Sequence, residues 1–160
     1  MDTSVPPFAV QAGGGTVLET PTGDTAVIKA GTRQTDGSLT VIELVIGPNQ
    51  GPPLHTHHHD DELWVVLEGE FRFKAGGSML LASTGGMAFG PRGTPHAFQN
   101  VGGEPGRLLI ITTPSGLEEF FQDFDARLRR GSVGPETLSE VGLAHGLEFV
   151  GPPVAVSDPL

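Results

Sequence analysis

Five of the six histidines in this 160-residue chain fall in two short segments flanked by glycine. The first reads Gly51-Pro-Pro-Leu-His55-Thr-His57-His58-His59-Asp60-Asp61-Glu62-Leu-Trp64-Val-Val66-Leu-Glu-Gly69. The second reads Gly85-Gly-Met-Ala-Phe-Gly-Pro91-Arg92-Gly93-Thr-Pro-His96-Ala-Phe98-Gln-Asn100. Imidazole nitrogens and a carboxylate oxygen on rigid strands are ordinary ligands of a divalent transition metal. Residues i and i+2 of an extended strand share a face, so His55 and His57 can reach one ion, with α-carbons roughly 6.5 Å apart. Glu62 follows His57 at an odd offset, so the chain must bend through residues 58–61 and present Glu62 from the start of the next strand. His96 arrives from a remote strand. Three imidazoles and a carboxylate suit iron, manganese, nickel, copper, cobalt or zinc, with one or two positions open for substrate or oxygen. His55, His57, Glu62 and His96 are therefore the candidate ligands of one divalent metal. Trp64 and Val66 share the face of Glu62, and Phe98 that of His96, so these three are expected to line a substrate cavity.

Strands must carry these side chains, and the rest of the chain is built to supply them. Glycine (24) and proline (14) are abundant while 37% of residues are hydrophobic, a composition of short strands joined by tight turns. Strand-type runs at 16–18, 26–30 and 39–46 precede the first segment. Runs at 63–67 and 71–74 flank Glu68-Gly69-Glu70, a hairpin signal. Others follow at 79–82, 87–89, 96–100 and 107–113, which suggests a sandwich or barrel.

The pattern changes after Thr113. Leu117, Phe120, Phe121, Phe124 and Leu128 form an apolar stripe at helical spacing. Ser115 is the expected cap, Glu118 and Glu119 sit in the first turn, and Arg127, Arg129 and Arg130 in the last, with Gly131 as the stop. A further short helix is expected from Pro135 to Ala144. The whole is read as one domain, residues 1–160, with a barrel core at about 16–113, a helix at about 115–130 and a tail at 131–160. Residues 1–15 are read as a loose arm.

The net charge of −10 makes nucleic acid and anionic membranes poor partners. The apolar runs are too short to span a bilayer. Residues 1–7 lack a basic stretch followed by an apolar run, so a cytoplasmic protein is the default. The absence of cysteine excludes thiol nucleophiles, disulfides, zinc–thiolate and iron–sulfur sites.

The two segments resemble the paired motifs of the cupin superfamily. His55-x-His57, Glu62 and Gly69 match the first motif in order; Gly85, Pro91, Gly93, His96 and Asn100 match the second without a gap. One departure concerns Gly51, which lies four positions before His55 where the motif has six. A register on His57 and His59 restores the glycine but leaves only two residues before Glu62. The register on His55 and His57 is preferred, because coordination geometry fixes ligand spacing whereas a loop glycine can move.

The resemblance implies an all-β jelly-roll barrel, the double-stranded β-helix, with a C-terminal α-helix. Pro52-Pro53, Pro114-x-Gly-Leu-Glu-Glu-Phe-Phe and Gly-x-x-Phe-Val-Gly-Pro-Pro (146–153) look like the single-domain quercetin-dioxygenase-like group, in which the helix packs on the outside of the barrel. It also implies a mononuclear metal dioxygenase acting on an apolar aromatic or enolisable small molecule, with Glu62 both ligating and taking a proton from substrate. An oxygen-independent isomerase or cyclase, and a non-catalytic binding module, stand as alternatives. Cupins are commonly dimers, and the arm and tail could pack between protomers, so a homodimer is expected.

Other residues receive plainer readings. Asp60 and Asp61 are expected as solvated loop carboxylates, and His58 and His145 as exposed. Trp64, Phe71, Phe73, Phe89 and Phe98 are read first as core. Asn100 supports the strand or the ligands. Arg92 is read equally as a contact for an anionic substrate group and as a surface residue.

Overall fold

Alternating buried and exposed residues set the architecture, because each strand offers one face to the interior. The computed structural model describes residues 5–160, so the first four residues of the expected arm, and most of the stretch read for a leader, lie outside the described residues. The elements in chain order are β1 (Thr16–Glu19), β2 (Thr25–Ala30), α1 (Thr32–Thr35), β3 (Thr40–Ile46), β4 (Pro53–His57), β5 (Asp61–Glu68), β6 (Glu70–Ala75) and β7 (Ser78–Ser83). They continue as β8 (Met87–Gly90), β9 (His96–Asn100), β10 (Gly106–Thr113), α2 (Leu117–Arg129), α3 (Thr137–Ala144), β11 (Leu147–Pro153) and α4 (Val154–Ser157).

Two antiparallel sheets face each other, one of six strands in the order β1-β2-β3-β10-β5-β8 and one of five in the order β11-β4-β9-β6-β7. Between them Trp64, Phe71, Phe73, Ile42 and Leu108 are fully buried. This is the expected all-β cupin sandwich with a C-terminal helix. Gly69, at φ +98°, turns β5 into β6, a conformation that side chains with a Cβ rarely adopt.

Three local features differ from the sequence reading. Gly116, not Ser115, is the N-cap of α2. The Ser115 hydroxyl pairs with that of Thr32 at 2.7 Å, while the backbone N–H of Gly116 donates to the carboxylate of Glu118 at 3.1 Å. The tail contributes a strand: β11 pairs with β4, so the sheets extend past residue 113. Helix α2 does not simply lie on the outside. Its Leu117, Phe120, Phe121 and Phe124 join the interior cluster, each contributing roughly 1.5–3 kcal/mol by burial.

The outer face of the six-stranded sheet is apolar. Across it Ile111 stands between Val41 and Leu63, and Leu63 meets Phe89. The next row sets Leu109 between Glu43 and Val65, and Val65 meets Met87. Phe89, expected as core, is 50% exposed because β8 is an edge strand. On the five-stranded sheet α4 packs against β9 and β11. It is tied down by Lys74, whose ammonium lies 2.5 Å from the Asp158 carboxylate, and by Arg72, which donates to the Asp158 carbonyl. Among the described residues no helix is long and apolar enough to cross a membrane.

Candidate metal centre

Strand β4 ends at His57 and β5 begins at Asp61, so the bend expected between them is present. It lets the imidazoles of His55 and His57 come from one sheet while Glu62 comes from the other. His96 on β9 pairs directly with His55 in register. Ligand atoms of His55, His57, Glu62 and His96, all buried, lie within 4.8 Å of one another. His59, of the alternative register, is exposed.

Each histidine is oriented from behind. Nδ1 of His55 donates to the Pro53 carbonyl at 2.8 Å, and Nδ1 of His96 to the Thr94 carbonyl at 3.0 Å. Nδ1 of His57 donates to Asp60 Oδ2 at 2.7 Å. An imidazole that donates through Nδ1 keeps its Nε2 lone pair for a ligand. The Nε2 atoms of His57 and His96 approach Glu62 Oε2 at 3.0 and 2.8 Å. The buried Nε2 of His57 has no hydrogen-bond partner in this arrangement. Three convergent imidazoles, one carboxylate and an orphaned ring nitrogen fit a divalent transition metal.

The electrostatics point the same way. Burial works against charge on His57, but the carboxylates of Glu62 and Asp60 outweigh it and raise its pKa to about 10. Burial would raise the Glu62 pKa, yet His57 and His96 hold that carboxyl well below the usual range. Burial, together with the charges of His57 and His96, lowers His55 to about 3. A buried carboxylate whose charge is balanced only by protons on the facing imidazoles is a place where a cation can take over from those protons.

A cavity of about 80 Å³ opens onto His55, His57 and Glu62. Of the three expected lining residues only Phe98 borders it. Trp64 and Val66 do face inward, but they are packed in the core; Trp64 lies edge-on behind His96, ring centroids 5.0 Å apart. The walls come instead from the C-terminal elements: Phe120 and Phe121 of α2, Leu138 of α3, and Phe149 of β11. An aromatic row runs from His55 to Phe149 at 5.6 Å and on to Phe120 at 6.3 Å. Thr22 and Asp24, in the turn between β1 and β2, form the more solvent-exposed rim. No arginine or lysine lines the cavity among the described residues.

Several side chains occupy places the sequence did not indicate. Asp60 is buried beneath His57, not solvated. The signal was its position three residues after His57, where a tight bend returns the carboxylate to the ring. His145 is half-buried, its Nε2 lying 3.1 Å from Asp123 Oδ2. His58 is exposed, as expected, and pairs with Glu148. Asp61 is not free either: it makes a bidentate pair with Arg92 at 3.0–3.1 Å, and Arg92 does not border the cavity. Asn100 is fully buried and holds two loops, donating to the carbonyls of Ile46 and Glu104 and accepting from Gly102.

Two facing antiparallel sheets with this inward ligand set are the arrangement that the resemblance to cupins implies. Residues 42–112 match the family model described as Cupin domain. Over 79 residues it is 32% identical to "Mannose-1-phosphate guanylyltransferase ManC" of Salmonella typhimurium, covering 49% of this chain and only 16% of that protein. Among solved structures, a protein of Thermus thermophilus named TT1209 is 26% identical with a TM-score of 0.52, covering 59% of this chain and 87% of that one. A predicted oxalate decarboxylase from Thermotoga maritima shares the fold at 18% identity, with a TM-score of 0.60, covering 67% of this chain and 99% of that one.

Proposed function

We propose that this cupin domain is a mononuclear metal-dependent dioxygenase of the quercetin-dioxygenase-like kind, acting on an uncharged apolar, aromatic or enolisable small molecule. The observation that carries this reading is the convergence of three imidazoles and Glu62 at the inner end of an apolar cavity bordered by no arginine or lysine among the described residues. A bound divalent ion would supply Lewis acidity, lowering the pKa of a substrate hydroxyl and leaving room for oxygen. His55, His57 and His96 would hold it through Nε2. Glu62 completes the set and takes the hydroxyl proton on its carboxylate. Phe149 and Phe120 orient the apolar body of the substrate and exclude water.

A second reading keeps the metal and omits oxygen, as an isomerase or cyclase. The relative named for mannose 1-phosphate brings a phosphorylated sugar into view as the substrate class of such an enzyme. A phosphorylated sugar calls for arginine or lysine partners, however, and among the described residues this cavity has neither. Oxygen uptake by metal-loaded protein, measured against a panel of neutral enols, separates the readings. Uptake that disappears in Glu62→Gln supports the dioxygenase. Product formed equally without oxygen replaces it with the isomerase. No turnover with any metal leaves a binding module.

A further inference from the structure

A buried hydroxyl beside the four convergent residues has no partner. Thr112 of β10 is 0% exposed, and its Oγ1 makes no hydrogen bond among the described residues. Thr112 pairs in register with Glu62 of β5 on one side and with Thr40 of β3 on the other. Residues paired in this way share a sheet face, with β-carbons about 4.5–5.5 Å apart. All three are buried on the inner face. The hydroxyl of Thr112 and the carboxylate of Glu62 are therefore neighbours across the sheet.

The other neighbour of Thr112 is committed elsewhere. The Thr40 hydroxyl donates to Glu118 and accepts from the Gly116 N–H at 3.0 Å. Glu62 depends on the imidazoles: its Oε2 lies 3.0 Å from His57 Nε2 and 2.8 Å from His96 Nε2, and among the described residues no other side chain pairs with it. A ring nitrogen that lends its lone pair to an ion has no proton left to donate. The same two rings therefore cannot serve at once as ligands and as donors to Glu62. Ligating carboxylates are ordinarily held by hydrogen bonds of their own, and the unpaired hydroxyl beside this one is that of Thr112.

We propose that Thr112 is a positioning residue for Glu62, its hydroxyl donating to that carboxylate when His57 and His96 turn their Nε2 lone pairs to a divalent ion. The inference rests on the reading of Glu62 as a ligand and is independent of whether oxygen is used. A side chain that only filled this space would serve as well as valine, which has the same shape. Valine would also spare the fold a buried hydroxyl without a partner, which is destabilising. The hydroxyl is a burden to the ion-free chain and an asset to the loaded one.

Competitive chelator titration with cobalt(II), alongside urea unfolding of the chelator-treated chain, tests this. Thr112→Val is expected to lower cobalt affinity about 10–100-fold and to leave the urea midpoint of the metal-free chain unchanged or raised. The visible absorption of bound cobalt changes with it, because that spectrum reports how Glu62 is held. Thr112→Ser keeps the hydroxyl and loses a buried methyl group, so it is expected to restore affinity and absorption while lowering the urea midpoint. If Thr112→Val binds cobalt as the wild type does, or loses affinity and urea midpoint together, the proposal is overturned and Glu62 stands as a ligand without it. Failure of Thr112→Ser to restore affinity overturns it likewise. A wild-type chain that takes up no cobalt overturns the ligand reading of Glu62 itself, and this inference with it.

Discussion

Asp60 Oδ2 accepts the Nδ1 proton of His57 at 2.7 Å, and this bond aims His57 Nε2 at the carboxylate of Glu62. A carboxylate behind a ligating imidazole fixes its tautomer and raises its basicity, and losing such a partner typically weakens metal affinity 10–100-fold. Asp60→Asn is therefore expected to lower affinity by about that factor in a competitive chelator titration. Asp61→Asn, one residue on, removes only the pair with Arg92 and leaves affinity unchanged.

Purified protein is expected to hold about one equivalent of a divalent transition metal, and His96→Ala to hold none, by elemental analysis. Because the four residues come from both sheets, an ion bound there is expected to stabilise the fold as well. Binding at a hundred times the dissociation constant adds about 2.7 kcal/mol. A chelator should lower the melting temperature of the wild type and leave that of His96→Ala where it was. An identical chelator response in both proteins would discard the ligand assignment.

Gly90 sits where a methyl group has no room. A Cβ there would lie 2.6 Å from Cη2 of Trp64 and 3.1 Å from Nδ1 of His96. Overpacking of this kind costs about 1–3 kcal/mol. Gly90→Ala is expected to lower stability by that amount in urea unfolding and to weaken metal binding by displacing His96. A loss of stability with unaltered metal affinity would show that Trp64 alone gives way.

Glu118, 5% exposed, ties α2 to the barrel. Its carboxylate accepts from the Thr32 N–H at 2.6 Å and the Gly116 N–H at 3.1 Å, and from the Thr40 hydroxyl. Burial alone would raise its pKa, but these donors outweigh burial and hold it below 4.5. A carboxyl depressed in the folded state contributes stability that is present above its unfolded pKa and lost as pH falls through the folded value. Glu118→Gln is expected to cost about 1–3 kcal/mol at neutral pH and to flatten the decline in stability below pH 4.5. Equal urea midpoints for the two proteins at neutral pH would refute this role.

Much of this was legible in local pattern. Runs of β-branched and other apolar residues at 39–46, 63–67 and 107–113 marked strands, and the spacing of His55, His57, Glu62 and His96 marked a convergent set. The displaced Gly51 has a steric reason: a Cβ there would lie 1.8 Å from the Phe98 carbonyl oxygen, so a glycine is required where this loop crosses β9. What escaped was long-range. The stripe of Phe120, Phe121 and Phe124 announces an apolar helix face, but not that part of this face borders a cavity. Phe89 follows strand alternation faithfully; its exposure depends on the order of strands in the sheet, which no local window contains. Leu147–Pro153 is short and ends in two prolines, so its pairing with a strand far upstream leaves no local trace.

That pairing governs when the centre can be completed. Strand β4, which carries His55 and His57, meets β9 at a single register position, His55 with His96, but meets β11 along its whole length. Residues in contact across this seam, such as His58 and Glu148, are 90 positions apart. On the ribosome the histidine-bearing strand therefore emerges long before the neighbour that fastens it, and in the finished protein any fraying of β11 loosens two of the four ligands at once. Capture of an ion by these four residues is therefore expected to come late in the life of the chain, and its release to begin far along the sequence from the motifs themselves.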